Sequence, residues 1–174
     1  MSDSADIEAQ IGRPLRAPST VLSRCHLGLP VVVEVPPILD DGTPFPTHYW
    51  LSCPLAGTRI GRLEGTGGVK RMEAKAEADS RFGESLAQAH ARHARERDSL
   101  LEPGASPRPT GGIGGTTRGV KCLHAHYADH VAIRSRNDAT SPVGAVVADW
   151  IEPLDCEVPC VIDGEPNPAW KSRP

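Results

Sequence analysis

At 174 residues, with 19 basic and 22 acidic side chains and a formal net charge of −3, the chain has room for one hydrophobic core and carries no excess of positive charge. No basic stripe runs along a predicted face, which argues against duplex nucleic acid as the main partner. No stretch approaches the ~18 consecutive apolar residues that a membrane-spanning helix needs.

The opening MSDSADIEAQIGR is polar and acidic, with no apolar run behind a basic start, so it does not read as a secretory signal. The expectation is a cytoplasmic protein. In a reducing compartment its five cysteines are expected to be free, metal-bound or catalytic rather than bridged. Residues 1–7 read as a flexible N-terminus, 8–151 as a single compact domain, and 152–174 as a proline-rich extended or disordered tail.

In chain order, Asp6–Arg13 reads as a short helix ended by Gly12 and Pro14, and Thr20–Arg24 as a weak helical turn running into Cys25. The β-branched run VVVEVPPI is the clearest strand, closed by Pro36 and Pro37. A turn-rich loop, LDDGTPFPT, leads to a second strand at His48–Cys53 that Pro54 stops. Two strands joined by one loop pair most simply as an antiparallel hairpin. Such a hairpin carries Cys25, before the first strand, toward Cys53, at the end of the second. Leu55–Gly68 reads as a crossing from sheet to helices. Val69–Asp79 and Ser80–Leu101 read as helices, the second with Phe82, Leu86, Ala89, His93, Arg97 and Leu100 at helical spacing. EPGASPRP is a linker, Asn137–Gly144 a loop and Ala145–Ile151 a short apolar helix. The fold class that follows is α+β: a small antiparallel hairpin or sheet packed against three or four helices.

The stretch richest in chemistry is Gly111–His130, GGIGGTTRGVKCLHAHYADH. On a helix, Cys122, His126 and His130 form one ridge, with His124 off it. Three thiols at a strand start, a strand end and a helix start are placed to converge. Cys25, Cys53 and Cys122, with His126 as the imidazole, would then hold zinc or a [4Fe–4S] cluster. Packing as small buried hydrophobes is the alternative for the same cysteines. His126 or His130 would move protons in an enzyme. Gly112, Gly114 and Gly115, followed by Arg118 and Lys121, suit a small anionic ligand through backbone amides and cations. The turn matches neither GxGxxG nor the Walker pattern. His90 and His93 read as core histidines, and Cys156 and Cys160, in DCEVPC, as incidental.

Taken together, GRPLR, RCHLGLPVVVEV, DGTPFPTHYWLSCP, RLEGTGG, GIGG, RGVKCLHAH and SPVG resemble the bacterial domain of unknown function 501 over roughly residues 8–151. Cys25, Cys53, Cys122, His124 and His126 fall on that family's motif positions, whereas Cys156 and Cys160 lie outside them. Ser141 stands where the resemblance leads one to expect Asn before Pro-Val-Gly, and His26-Leu27 replaces a proline-containing step. The resemblance implies no activity. It implies genes placed beside a septum formation initiator and an exopolyphosphatase-like enzyme, an association with division or phosphate metabolism. Three readings stand at this level: a metalloprotein or metalloenzyme with a small anionic ligand or substrate; a zinc-stapled adaptor with a protein partner; or a metal-free anion binder.

Overall fold

The computed structural model describes residues 2–136 and 139–172, and has a mixed α+β fold in which small antiparallel sheets pack against several helices. Asn137 and Asp138 of the predicted loop, the first residue of the chain and its last two lie outside the described residues. Helix α1 (Asp3–Ile11) starts earlier than its apolar pattern suggests, because Ser2 caps it: the hydroxyl accepts from the Ala5 amide, and Asp3 and Asp6 sit in the first turn. Gly12 ends it in the left-handed conformation at φ 69.

Strands β1 (Thr20–Arg24), β2 (Pro30–Glu34) and β3 (Tyr49–Leu51) form one antiparallel sheet in that order. The expected β2–β3 hairpin is present, with Val32 opposite Leu51, Val33 opposite Trp50 and Glu34 opposite Tyr49. Thr20–Arg24 is a strand rather than a helical turn. It pairs with the edge of β2 that β3 leaves open, with register shifts between Val21 and Arg24. Because successive side chains on a strand face opposite ways, Val32 enters the main core. Val33 joins Ile7 of α1, Ala17, Val35 and Leu39 in a second, smaller one.

Helix α2 (Pro54–Gly65) occupies much of the stretch expected to be a crossing. Proline at its first position costs no hydrogen bond, and Leu55, Ala56 and Ile60 are buried. Helices α3 (Gly68–Ala78) and α4 (Ser80–Asp98) follow, divided by Asp79, whose carboxylate caps α4 by accepting from Arg81 and Phe82. The predicted stripe holds at Leu86, Ala89, His93 and Arg97, but Leu100 is 49 % exposed. Helix α5 (Leu123–Ile133) is buried nearly all round, between β3, α2 and helix α6 (Pro142–Ile151). After α6, the segment 153–172 runs back over the body. Strands β4 (Val161–Ile162) and β5 (Glu165–Pro166) pair and rest on α1, with Val161 buried. Arg59 of α2 fastens the start of this strap, donating to the Ile151 and Pro153 carbonyls at 2.8 and 2.7 Å and to Asp155 at 2.8 Å.

Helices α5 and α6 cross at Gly144, where a Cβ would collide with the His126 carbonyl oxygen and the His130 Cβ. The obstructing group is helix backbone and cannot swing away. Gly144→Ala is therefore expected to destabilise by about 3 kcal/mol or more, as read from urea unfolding. Unchanged stability would mean that the two helices do not meet at this point.

Candidate functional site

Between α4 and α5 lies a fully buried carboxylate, Asp129. Arg92 pairs with its Oδ2, and His93 Nδ1 donates to its Oδ1 at 2.8 Å. Burial pushes the carboxyl up, but the His93 hydrogen bond and the Arg92 charge outweigh it and hold the group below the usual range. Arg92 also reaches Glu96 at 2.9 Å, and Glu96 accepts from the Tyr49 hydroxyl at 3.0 Å and from Arg136 at 2.7 Å. Arg97, 1 % exposed, points the other way. It donates to the Gly111 carbonyl at 2.6 Å and, more loosely, to those of Pro46 and Pro109 at 3.4 and 3.5 Å. Two loops are thereby fixed to α4 by one cation.

Those loops and β3 frame a pocket of about 330 Å³ against the first turn of α5. Tyr49, Trp50 and Leu51 line it from the sheet, and Gly114, Lys121 and His124 line it from the glycine turn and the start of α5. Lys121 is exposed and pairs with no carboxylate among the described residues. His124 lies between the Glu64 carboxylate at 3.2 Å and the Gly57 carbonyl at 3.2 Å. Glu64 also accepts from the Leu123 amide at 2.6 Å. The positive end of the α5 dipole is thus already taken by a carboxylate of the chain itself.

The metal reading does not survive this geometry. Among the described residues no group of three or more His, Cys, Asp or Glu side chains is placed to hold a metal ion, so zinc and a [4Fe–4S] cluster are both set aside, and with them the zinc-stapled adaptor. Cys25 and Cys53 do belong to one core, Cys25 packing against the cluster that contains Cys53. Cys122 belongs to another, with Ala89, Ile113 and Ala125. It occupies the N-cap position of α5 but makes no side-chain capping hydrogen bond there. His126 lies deeper in the same helix, and neither ring nitrogen has a partner. Burial also pushes the Cys53 thiol up to about 11, the opposite of what a thiolate ligand needs. All five cysteines are free.

In comparison with known families, the model for a protein of unknown function (DUF501) matches residues 21–149. The chain belongs to the DUF501 family. No curated protein and no solved structure matches it.

In this DUF501 chain the residues expected to bind an anion do not share one hollow. Gly114 and Lys121 line the pocket beside β3, Arg118 lines a separate depression with Glu73 and Glu77, and Gly112 lies at a third, beside Arg97. The glycines also answer to packing. A Cβ on Gly112 would collide with His90, and Gly114 has φ 68. The Gly112, Ile113 and Gly115 amides are spent on Thr116, His90 and Gly112 respectively. His90 and His93 are partnered core histidines, as expected. Asp129, Arg92, Glu96 and Tyr49 were missed. The one available signal was the acid in LHAHYADHVAI, a helix too apolar to turn any face to water, where a carboxylate must find a cation.

No helix among the described residues is long and apolar enough to cross a membrane. The proposed proton carriers sit differently from one another: His126 is 1 % exposed, whereas His130 is half-buried beside α6. Burial lowers the pKa of His126 to about 3 and also lowers those of His48, His90 and His130 from 6.5. An unfolded chain takes up these protons near pH 6.5 and the folded one does not. The stability these groups contribute is therefore present above pH 6.5 and lost as the pH falls. His126→Leu removes one such group together with two unpartnered nitrogens. It is expected to be neutral or stabilising by about 1 kcal/mol at pH 7.5 and to flatten the loss of stability between pH 7 and 5. Urea unfolding across that range checks it; parallel profiles for the two proteins would refute it.

Proposed function

We propose that this protein is a metal-independent binding protein for a small amphipathic anion, one with a flat apolar body and a single carboxylate, phosphate or sulfonate group. The observation that carries the reading is the Lys121 ammonium, without a carboxylate partner among the described residues, at a pocket of about 330 Å³ that Tyr49, Trp50 and Leu51 of β3 also line. That volume lies at the lower end of the range for small-molecule sites, and a mostly apolar lining with few polar groups is their usual character. The apolar body would lie along the β3 wall and the anionic group would face Lys121. Arg97 and the Asp129 network support the reading indirectly, because they hold both sides of the pocket without contact with a ligand.

Binding fits the local chemistry better than catalysis. Burial raises the pKa of Cys122, the pocket's thiol, so it is a poor nucleophile at rest. His126 is too deep to meet a substrate, and His130 is not among the residues lining this pocket. The reading takes the protein to be cytoplasmic, which five free cysteines support.

The probe is 1-anilinonaphthalene-8-sulfonate, an aromatic sulfonate, followed through its own emission and through Trp50. The expected result is saturable binding near one to one, weakened about tenfold or more by Lys121→Glu, with the uncharged N-phenyl-1-naphthylamine bound more weakly than the sulfonate. Binding that ignores Lys121→Glu, or that fails to saturate, would remove the proposal.

A further inference from the structure

The strap brings two thiols to a place where two others already lie. Cys25 sits at the turn between β1 and β2, its amide donating to the Leu29 carbonyl at 2.9 Å. Beside that turn, the Cys53 amide approaches the Val31 carbonyl at 3.4 Å. Gln10 of α1 then links strap to sheet: its Nε2 donates to the Pro30 carbonyl at 2.9 Å and to the Cys160 sulfur at 3.5 Å. Cys25, Cys53 and Cys160 are thus all anchored within a residue or so of Pro30, though they come from three distant parts of the chain. Cys156 lies nearby on the strap, where its carbonyl accepts from His26 Nε2 at 3.0 Å and its sulfur accepts from Trp170 Nε1 at 3.4 Å. Ionisation of Cys53 is opposed by that of Cys160 and Cys156, and ionisation of Cys160 by that of Cys156 and Cys25, which puts these sulfurs within electrostatic reach of one another. Cys122 is in a different cluster.

Thiols brought from distant parts of the chain to one stretch of the sheet share a chemistry, exchange with disulfides. We propose that the strap is a redox latch, in which Cys160 forms a disulfide with Cys25 or Cys53 when the protein meets a low-molecular-weight disulfide such as oxidised glutathione. The Cys160 thiolate, its proton lost to water, attacks one sulfur of the small disulfide and expels one thiolate. The body thiol loses its proton in turn, attacks the Cys160 sulfur and expels the second. Two protein thiols become one disulfide, and the small disulfide is reduced to two thiols. Burial raises the pKa of the Cys160 thiol and the N–H that Gln10 directs at it acts the other way, so the exchange that begins at its thiolate speeds up as the pH rises. Reduced, the strap is held by Arg59, Gln10 and the β4–β5 pairing. Oxidised, it is tied covalently across the sheet.

The test incubates the full chain at pH 8 with oxidised glutathione, alkylates the remaining thiols under denaturing conditions and maps linked peptides by mass spectrometry. Free thiols are expected to fall from five to about three, with Cys160 joined to Cys25 or Cys53. Tm should rise by roughly 5–10 °C, as a cross-link closing a long loop produces. Cys160→Ser, whose fold is checked by circular dichroism, is expected to form no link between strap and body and to show no rise. Five persisting thiols, glutathione adducts alone, a Cys156–Cys160 bridge alone, or any link to Cys122 would overturn the latch. So would a strap–body link that survives Cys160→Ser.

Discussion

A carboxylate cannot lose its water without compensation, and Asp129 has lost all of it. The compensation comes from Arg92 and His93, adjacent residues of α4, so the position of α5 against α4 is set by charge and direction as well as by apolar contact. The same Arg92 passes to Glu96, and Glu96 to Tyr49 of β3 and to Arg136 beyond the end of α5. Sheet, long helix and central helix are therefore joined by one polar chain inside an otherwise apolar body. Taking away one member strands the others, which is why breaking such a pair costs about 3–5 kcal/mol while replacing it whole can cost little.

The pocket depends on that arrangement. Its apolar wall is β3, placed by the sheet and by the Tyr49 hydroxyl. Its charged side is the approach to α5, placed by Asp129 and by Glu64 on the Leu123 amide. Arg97 fixes the glycine turn through the Gly111 carbonyl. Lys121 is left over from this mutual neutralisation, which is what makes it a candidate for an external anion.

The sequence conveyed the fold where local chemistry and final packing agree. The valine run of β2, the hairpin to β3 and the Ala- and Arg-rich α4 follow from β-branching, turn residues and helix spacing. It was silent where tertiary contacts override local preference. Gly57, Gly61 and Gly65 make α2 look like a loop, yet they face open space and the opposite side buries Leu55 and Ile60. Thr20–Arg24 becomes a strand only because β2 offers an edge. The site was less legible for a related reason. A cysteine beside histidines in sequence suggested ligation, but Cys122 lies at the start of α5 in a different cluster from Cys25 and Cys53, and its neighbours in space are Ala89 and Ile113. The cysteines that do come close to Cys25 and Cys53 arrive on the strap, whose path over the body no periodicity encodes.

The most direct test is a double-mutant cycle between helices α4 and α5, using Arg92→Gln, Asp129→Asn and the pair, with stability measured by urea unfolding at pH 7. If the buried ion pair governs how α4 and α5 meet, the two changes couple by at least about 1.5 kcal/mol, the double variant being far less damaged than the sum of the singles. Coupling below about 0.5 kcal/mol would mean that apolar packing alone sets the arrangement, and the account would be wrong at its centre.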